Sequence, residues 1–174
     1  ILCTQEGLPK LGADRKRAIR VLGTVVQTGI NRDSEDYRNH LTAVAARALY
    51  EKTGVSPVDI DLAEVHDATA VGEILQAENL QLSGFGEAGP AAERGDFTVG
   101  GRVPINPSGG LECRGHPIGA TGLAQVHELV TQLRGEAGPR QVEGARMAIQ
   151  ENGGGLYGCE EAVAVLSMLT NQAV

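Results

Sequence analysis

Three short stretches carry the residue types that do chemistry: "VHDAT" (65–69), "GGLECRGHPIG" (109–119) and "QENGGGLYG" (150–158). His116 stands immediately before Pro117. Proline favours the first helical position, so the spacing predicts His116 at the N-cap of a helix. The positive end of a helix disfavours imidazolium, and a ring kept neutral there can act as a general base. Glycines at 109, 110, 115, 119 and 122 allow close approach of a substrate and expose N–H groups to an anion. A capping histidine among ordinary turn glycines fits the same spacing.

His66 and Asp67 end a strand-like run, where the imidazole could donate to a carbonyl oxygen or simply close the strand at the surface. Asp67 is placed to cap the helix that follows. Glu73, six positions on, could orient either histidine or be a solvated helix residue. "NGGGLYG" (152–158) has the pattern of an oxyanion-binding turn, with Asn152 and Gly153 at its start. Consecutive glycines there can turn their N–H groups toward one oxygen. Tyr157 is either a donor to that site or a lid over buried glycine. Cys113 and His116 form C-x-x-H, but no second half of a zinc pattern exists, so no metal site is expected. A Cys113–His116 nucleophile couple is the weaker reading, and Cys3 and Cys159 are expected to pack as small apolar groups.

The elements that must hold these residues follow from pattern. Residues 17–29 and 145–155 read as strands, and 161–169 as a strand covered on both faces. Residues 36–54 put Leu41, Val44, Ala45, Ala48 and Leu49 on one helical face, with Gly54 to stop it. Residues 56–67 read as a turn and strand, 68–80 as a helix and 117–134 as another; between them, 81–116 is a long Gly- and Pro-rich connection. The alternation implies an α/β layer with a mostly parallel sheet and a final antiparallel strand. Ligands of such sheets bind beyond the carboxyl ends of parallel strands, so the three stretches are expected to meet in one crevice. The 174 residues suit one domain. A formal net charge of −7 with no basic run argues against nucleic acid and anionic membrane as partners. Three scattered cysteines fit a reducing, cytoplasmic setting rather than a disulfide framework. The opening "ILCTQEG" reads as cut from a longer chain, making 1–16 a remnant of a preceding domain or linker and 17–174 the domain proper.

The segments "EVHDATAVGEIL", "INPSGGLECRGHPIGATGLAQVHELVTQLRG" and "AIQENGGGLYGCEEAVAVLSML" resemble, in order and spacing, the C-terminal half of the thiolase superfamily, nearest its sterol-carrier-protein-type branch. The resemblance runs from about residue 17 to 169. It implies a layered α/β/α half with a mixed, mostly parallel five-stranded sheet. It also implies acyl-CoA chemistry of lipid or sterol metabolism, shared with an N-terminal half whose cysteine takes the acyl group. His116 would activate that cysteine and His66 would bind the thioester oxygen. Asn152 and Gly153 would contribute to a second oxyanion hole, and Ser108, Gly109, Gly110 and Tyr157 would contact substrate. Coenzyme A enters as substrate or product, no permanent cofactor is implied, and the complete enzyme would be a homo-oligomer. The sequence departs from the pattern twice. Ala68 and Thr69 stand where the branch carries H-D-x-F, and Ile149–Asn152 hold no acid/base cysteine. An aldolase, with Tyr157 or a carboxylate moving the proton, or a non-catalytic acyl-CoA-binding subunit, is the alternative.

Overall fold

The computed structural model describes residues 1–172. Four strands, β1 (Arg20–Thr28), β2 (Leu62–Glu64), β3 (Met147–Gly154) and β4 (Val163–Thr170), form one sheet in the order β1-β4-β3-β2. β2 and β3 are parallel, whereas β4 is antiparallel to both its neighbours. Three strands therefore point the same way and the last runs against them, as the alternation implies. β4 lies inside the sheet rather than at its edge, so two of the three pairings are antiparallel.

The five-stranded expectation is corrected to four. The position beyond β2 is occupied by a single parallel bridge between Ala63 and Ile105. Pro104 and Pro107 flank that bridge, and a proline has no N–H to extend a ladder.

Among the described residues, five α-helices complete the fold: α1 (Leu41–Thr53), α2 (Ala70–Asn79), α3 (Ala88–Glu93), α4 (Gly110–Arg114) and α5 (Thr121–Leu133). The apolar face of α1, with Leu41, Ala45 and Leu49, packs with Ile149, Leu166 and Met168 of the sheet. On the opposite face, Leu129 and Leu133 of α5 pack with Leu62, Ala148 and Leu169. Successive strand residues face opposite sides, so Ala148 and Ile149 feed different cores and the sheet is covered on both faces. This is a three-layer α/β/α arrangement. No helix among the described residues is long and apolar enough to cross a membrane.

Two local expectations change. The long connection is not structureless, since it contains α3 and α4. The helix expected from Pro117 begins instead at Thr121, with Ala120 as its N-cap. Gly119 has φ +84°, a left-handed conformation that an α-helix cannot contain. Residues 116–120 consequently form a turn, closed by Ala120 N–H donating to the Pro117 carbonyl at 2.9 Å.

Leu166 is fully buried at the centre of β4, whereas Val26 on the edge strand β1 is largely exposed. Leu166→Ala is expected to cost about 2–5 kcal/mol in urea unfolding, against roughly 0.5 kcal/mol or less for Val26→Ala.

Candidate active site

The carboxyl end of β2 lies beside the middle of parallel β3, with Glu64 opposite Gln150, and β3 runs on past it to Gly154. His66 follows β2 by two residues, and the turn before α5 brings His116 over it. The two rings stand 4.9 Å apart between centroids, tilted by 47°. His116 Nδ1 meets Thr121 Oγ1 at 2.7 Å, leaving Nε2 as the nitrogen available for chemistry. The exposed ring of His116 is therefore held by a hydroxyl in the first turn of α5. The expectation that His116 itself caps that helix is overturned by Gly119, and with it the dipole argument for its charge.

His66 is half-buried, and its Nε2 is wholly covered yet has no partner among the described residues. Burial, chiefly, and the neighbouring His116 hold its pKa below the usual imidazole value, against the opposing pull of Glu161 and Asp67. An uncharged ring with an unspent polar atom is the state that can accept or donate one hydrogen bond to a ligand.

Asn152 and Gly153 do not lie in a turn. They are the last part of β3, opposite Val165 and Ala164 of β4, and the turn proper begins at Gly155. Gly154 O accepts from Ala162 N–H across that ladder. Alternation along the strand then points Gly153 N–H to the other edge, which β2 has left after Glu64. Asn152 Oδ1 is covered and unpartnered among the described residues, and the Asn152 side chain lies against Gly122 in the first turn of α5. Tyr157 is 52% exposed and packs on Gly29 at the end of β1. That is the far side of β4 from the histidines. Cys3, Cys113 and Cys159 are all exposed; Cys3 and Cys159 are not packed apolar groups as expected.

Carboxylates whose roles the sequence does not reveal hold the loops. Glu64, 0% exposed on β2, accepts from Ser108 N–H at 3.1 Å and Ser108 O–H at 2.8 Å, and pairs with Arg114 at 3.0 Å. Burial still outweighs these bonds and pushes its pKa up to about 7. Asp67 does not cap α2, a role taken by Thr69, whose hydroxyl accepts from Gly72 N–H. Its Oδ1 instead accepts from Leu111 N–H at 2.7 Å. Glu73 accepts from Asn106 Nδ2 at 3.2 Å and reaches neither histidine in the hydrogen-bond network. Asn106, whose φ is +50°, accepts from Val65 N–H at 2.8 Å and so ties β2, α2 and the glycine loop together. The signal available in the sequence was a charged residue inside an apolar strand, as in "DLAEV" and "AIQENG". No group of three or more His, Cys, Asp or Glu among the described residues is arranged to hold a metal ion.

The family model described as thiolase C-terminal domain-like matches residues 23–168. The chain belongs to that thiolase family. This thiolase C-terminal-type chain is 45% identical over 158 residues to sterol carrier protein 2 of Oryctolagus cuniculus, covering 87% of this chain and 29% of that protein. It is 51% identical over 117 residues to an acetyl-CoA acetyltransferase of Methanothermobacter thermautotrophicus, covering 67% of this chain and 30% of the other. Its fold matches a solved Ltp2-ChsH2(DUF35) aldolase chain with a TM-score of 0.69 at 20% identity, over 90% of this chain and 40% of that one. The thiolase-like chain thus spans under a third of the length of these two curated relatives.

Gly110 is the tightest point of the thiolase-like site. Its φ is +62°, and a Cβ there would lie within 1.9 Å of Asp67 Oδ2. Gly110→Ala is expected to cost about 1–3 kcal/mol and to loosen the Ser108–Leu111 loop. Gly89→Ala on α3, with nothing within 4 Å of the added carbon, serves as the neutral comparison in the same unfolding assay.

Proposed function

We propose that this chain supplies the histidine half of an acyl-CoA acyltransferase site, completed by an N-terminal thiolase half that carries the nucleophilic cysteine, on the same or a separate chain. The observation that carries this reading is the His66–His116 pair, 4.9 Å apart, at the carboxyl end of β2 beside parallel β3. His116 Nε2 takes the proton of the partner half's thiol, and the thiolate attacks the thioester carbonyl. Negative charge then gathers on the carbonyl oxygen, for which His66 Nε2 is a donor, while Asn152 and Gly153 contribute to a second oxyanion hole. Collapse of the tetrahedral state expels coenzyme A thiolate, which recovers the proton from His116 and leaves the acyl group on the partner cysteine.

Exposed apolar side chains on the elements that follow each histidine in the chain support a covering half. Ile118 is 92% exposed, Leu123 of α5 is likewise exposed, and Val71 and Leu75 on α2 also face water; such surface next to a reactive pair favours burial by a partner. Acyl-CoA is the substrate class in this reading, on the strength of family membership and the acetyl-CoA acetyltransferase relative. Ser108, Gly109 and Gly110 are the coenzyme A side of the site. The complete enzyme is a homo-oligomer of the cytoplasm, working in lipid or sterol metabolism.

One observation favours a second reading. Residues 149–152 at the end of β3 hold Glu151 and no cysteine, so the acid/base of thiolytic carbon–carbon cleavage is replaced. An aldolase-type cleavage, or acyl-CoA binding without catalysis, follows if that replacement is decisive.

The chain joined with its N-terminal half and given acetoacetyl-CoA plus coenzyme A is expected to release acetyl-CoA, and His116→Ala to lower the rate by roughly 10²–10⁴-fold. Thiolysis undiminished in that variant removes His116 from the mechanism. Cleavage of a 3-hydroxyacyl-CoA to a carbonyl product without free coenzyme A selects the aldolase instead.

A further inference from the structure

Below the histidine pair lies a carboxyl that acyl transfer does not use. Glu151 of β3 is 0% exposed. Its Oε2 accepts from His66 N–H at 2.9 Å, and its Oε1 has no partner among the described residues. None of the ion pairs among those residues includes it. The groups around it offer no cation. Glu161, leading into β4, and Asp67, on the turn after β2, both oppose a negative charge at Glu151. Glu161 Oε2 is itself covered and unbonded, with His40 Nε2 before α1 only within 3.4 Å of it. From α2, Gln76 reaches Glu161, and from α5 the Gln125 amide donates to the Glu151 main-chain carbonyl and accepts from Gln150 Nε2, reaching the Glu151 carboxyl with neither.

We propose that Glu151 is the positioning residue of the His66 turn and holds it as a neutral carboxylic acid, so that the turn is ordered while the acid keeps its proton and loosens when the proton leaves. With the proton on Oε1, Oε2 is a carbonyl oxygen that takes the His66 N–H and brings no charge into the protein interior. Loss of the proton leaves an unpaired charge in a dry site, and the movable element next to it is the turn whose N–H it holds.

Burial is the largest influence on this group and pushes its pKa up to about 8, against the lowering effect of the His66 N–H. A folded-state value above the ordinary 4.5 means that its contribution to stability is complete below 4.5 and is lost as pH rises through about 8. The catalytic consequence rests on the proposed role of His66; the behaviour of the turn does not.

The test is nuclear magnetic resonance of the substrate-free chain across neutral and alkaline pH, following the Glu151 carboxyl carbon and the His66 main-chain amide. Both are expected to move together with a midpoint near 8. Glu151→Gln, neutral at every pH and still able to accept the N–H, is expected to keep the low-pH position of the His66 amide and abolish the step. Glu64→Gln, which removes another raised carboxyl, is expected to leave it intact. A His66 step that persists in Glu151→Gln overturns the proposal. So does a Glu151 carboxyl that titrates in the ordinary carboxylate range in the unaltered chain, which decides the matter even if the variant fails to fold. Because no substrate is present, a failed acyl-transfer assay leaves these readouts standing, and a failed titration leaves the His116→Ala comparison standing.

Discussion

Acidic side chains accepting main-chain N–H groups hold this site together. Glu64 takes the N–H of Ser108, Asp67 that of Leu111 and Glu151 that of His66. Each ties a loop to the turn or strand beneath it, and all three side chains are buried. A carboxylate in such a place loses hydration and regains part of it from the bonds it accepts. The balance differs among them. Glu64 has two bonds from Ser108 and one from Arg114, whereas Glu151 has one bond and no cation. The pKa values of about 7 and about 8 follow that order.

Those bonds work because the sheet places their acceptors in line. Parallel pairing of β2 with β3 sets Glu64 opposite Gln150, so the residues just beyond β2 emerge beside the last residues of β3, Glu151 to Gly154. β4, inserted antiparallel between β1 and β3, makes β3 an interior strand with helices on both faces. The same insertion carries Tyr157 to the β1 side, where it covers Gly29. The histidines and the tyrosine, close in the reading of the sequence, are thereby assigned to opposite sides of β4.

The turn 116–120 shows how one residue redirects an electrostatic argument. Pro117 is a good first residue for a helix, and the pattern from Ile118 to Leu133 is helical. Gly119 nonetheless takes a left-handed conformation, the helix starts at Thr121, and His116 is held by the Thr121 hydroxyl rather than by helix-end amides. The loop before it is likewise more ordered than its glycine and proline content implies, because Asn106, Glu64 and Asp67 satisfy its main-chain groups from below.

Local chemistry was enough to read from the sequence the strands and the longer helices, to single out His66 and His116, which the fold brings together, and to mark the chain as thiolase-like: these depend on periodicity, on proline and glycine, and on residue order. Strand order was not legible, because the partner of an edge residue is chosen by packing between segments far apart in the chain; the fifth strand was lost to two prolines. The roles of Glu64, Asp67, Glu73 and Glu151 were not legible either. An acid in a strand or at a helix start reads the same whether it faces water or a buried N–H, and only the assembled layers decide how much hydration it loses and which loop it holds.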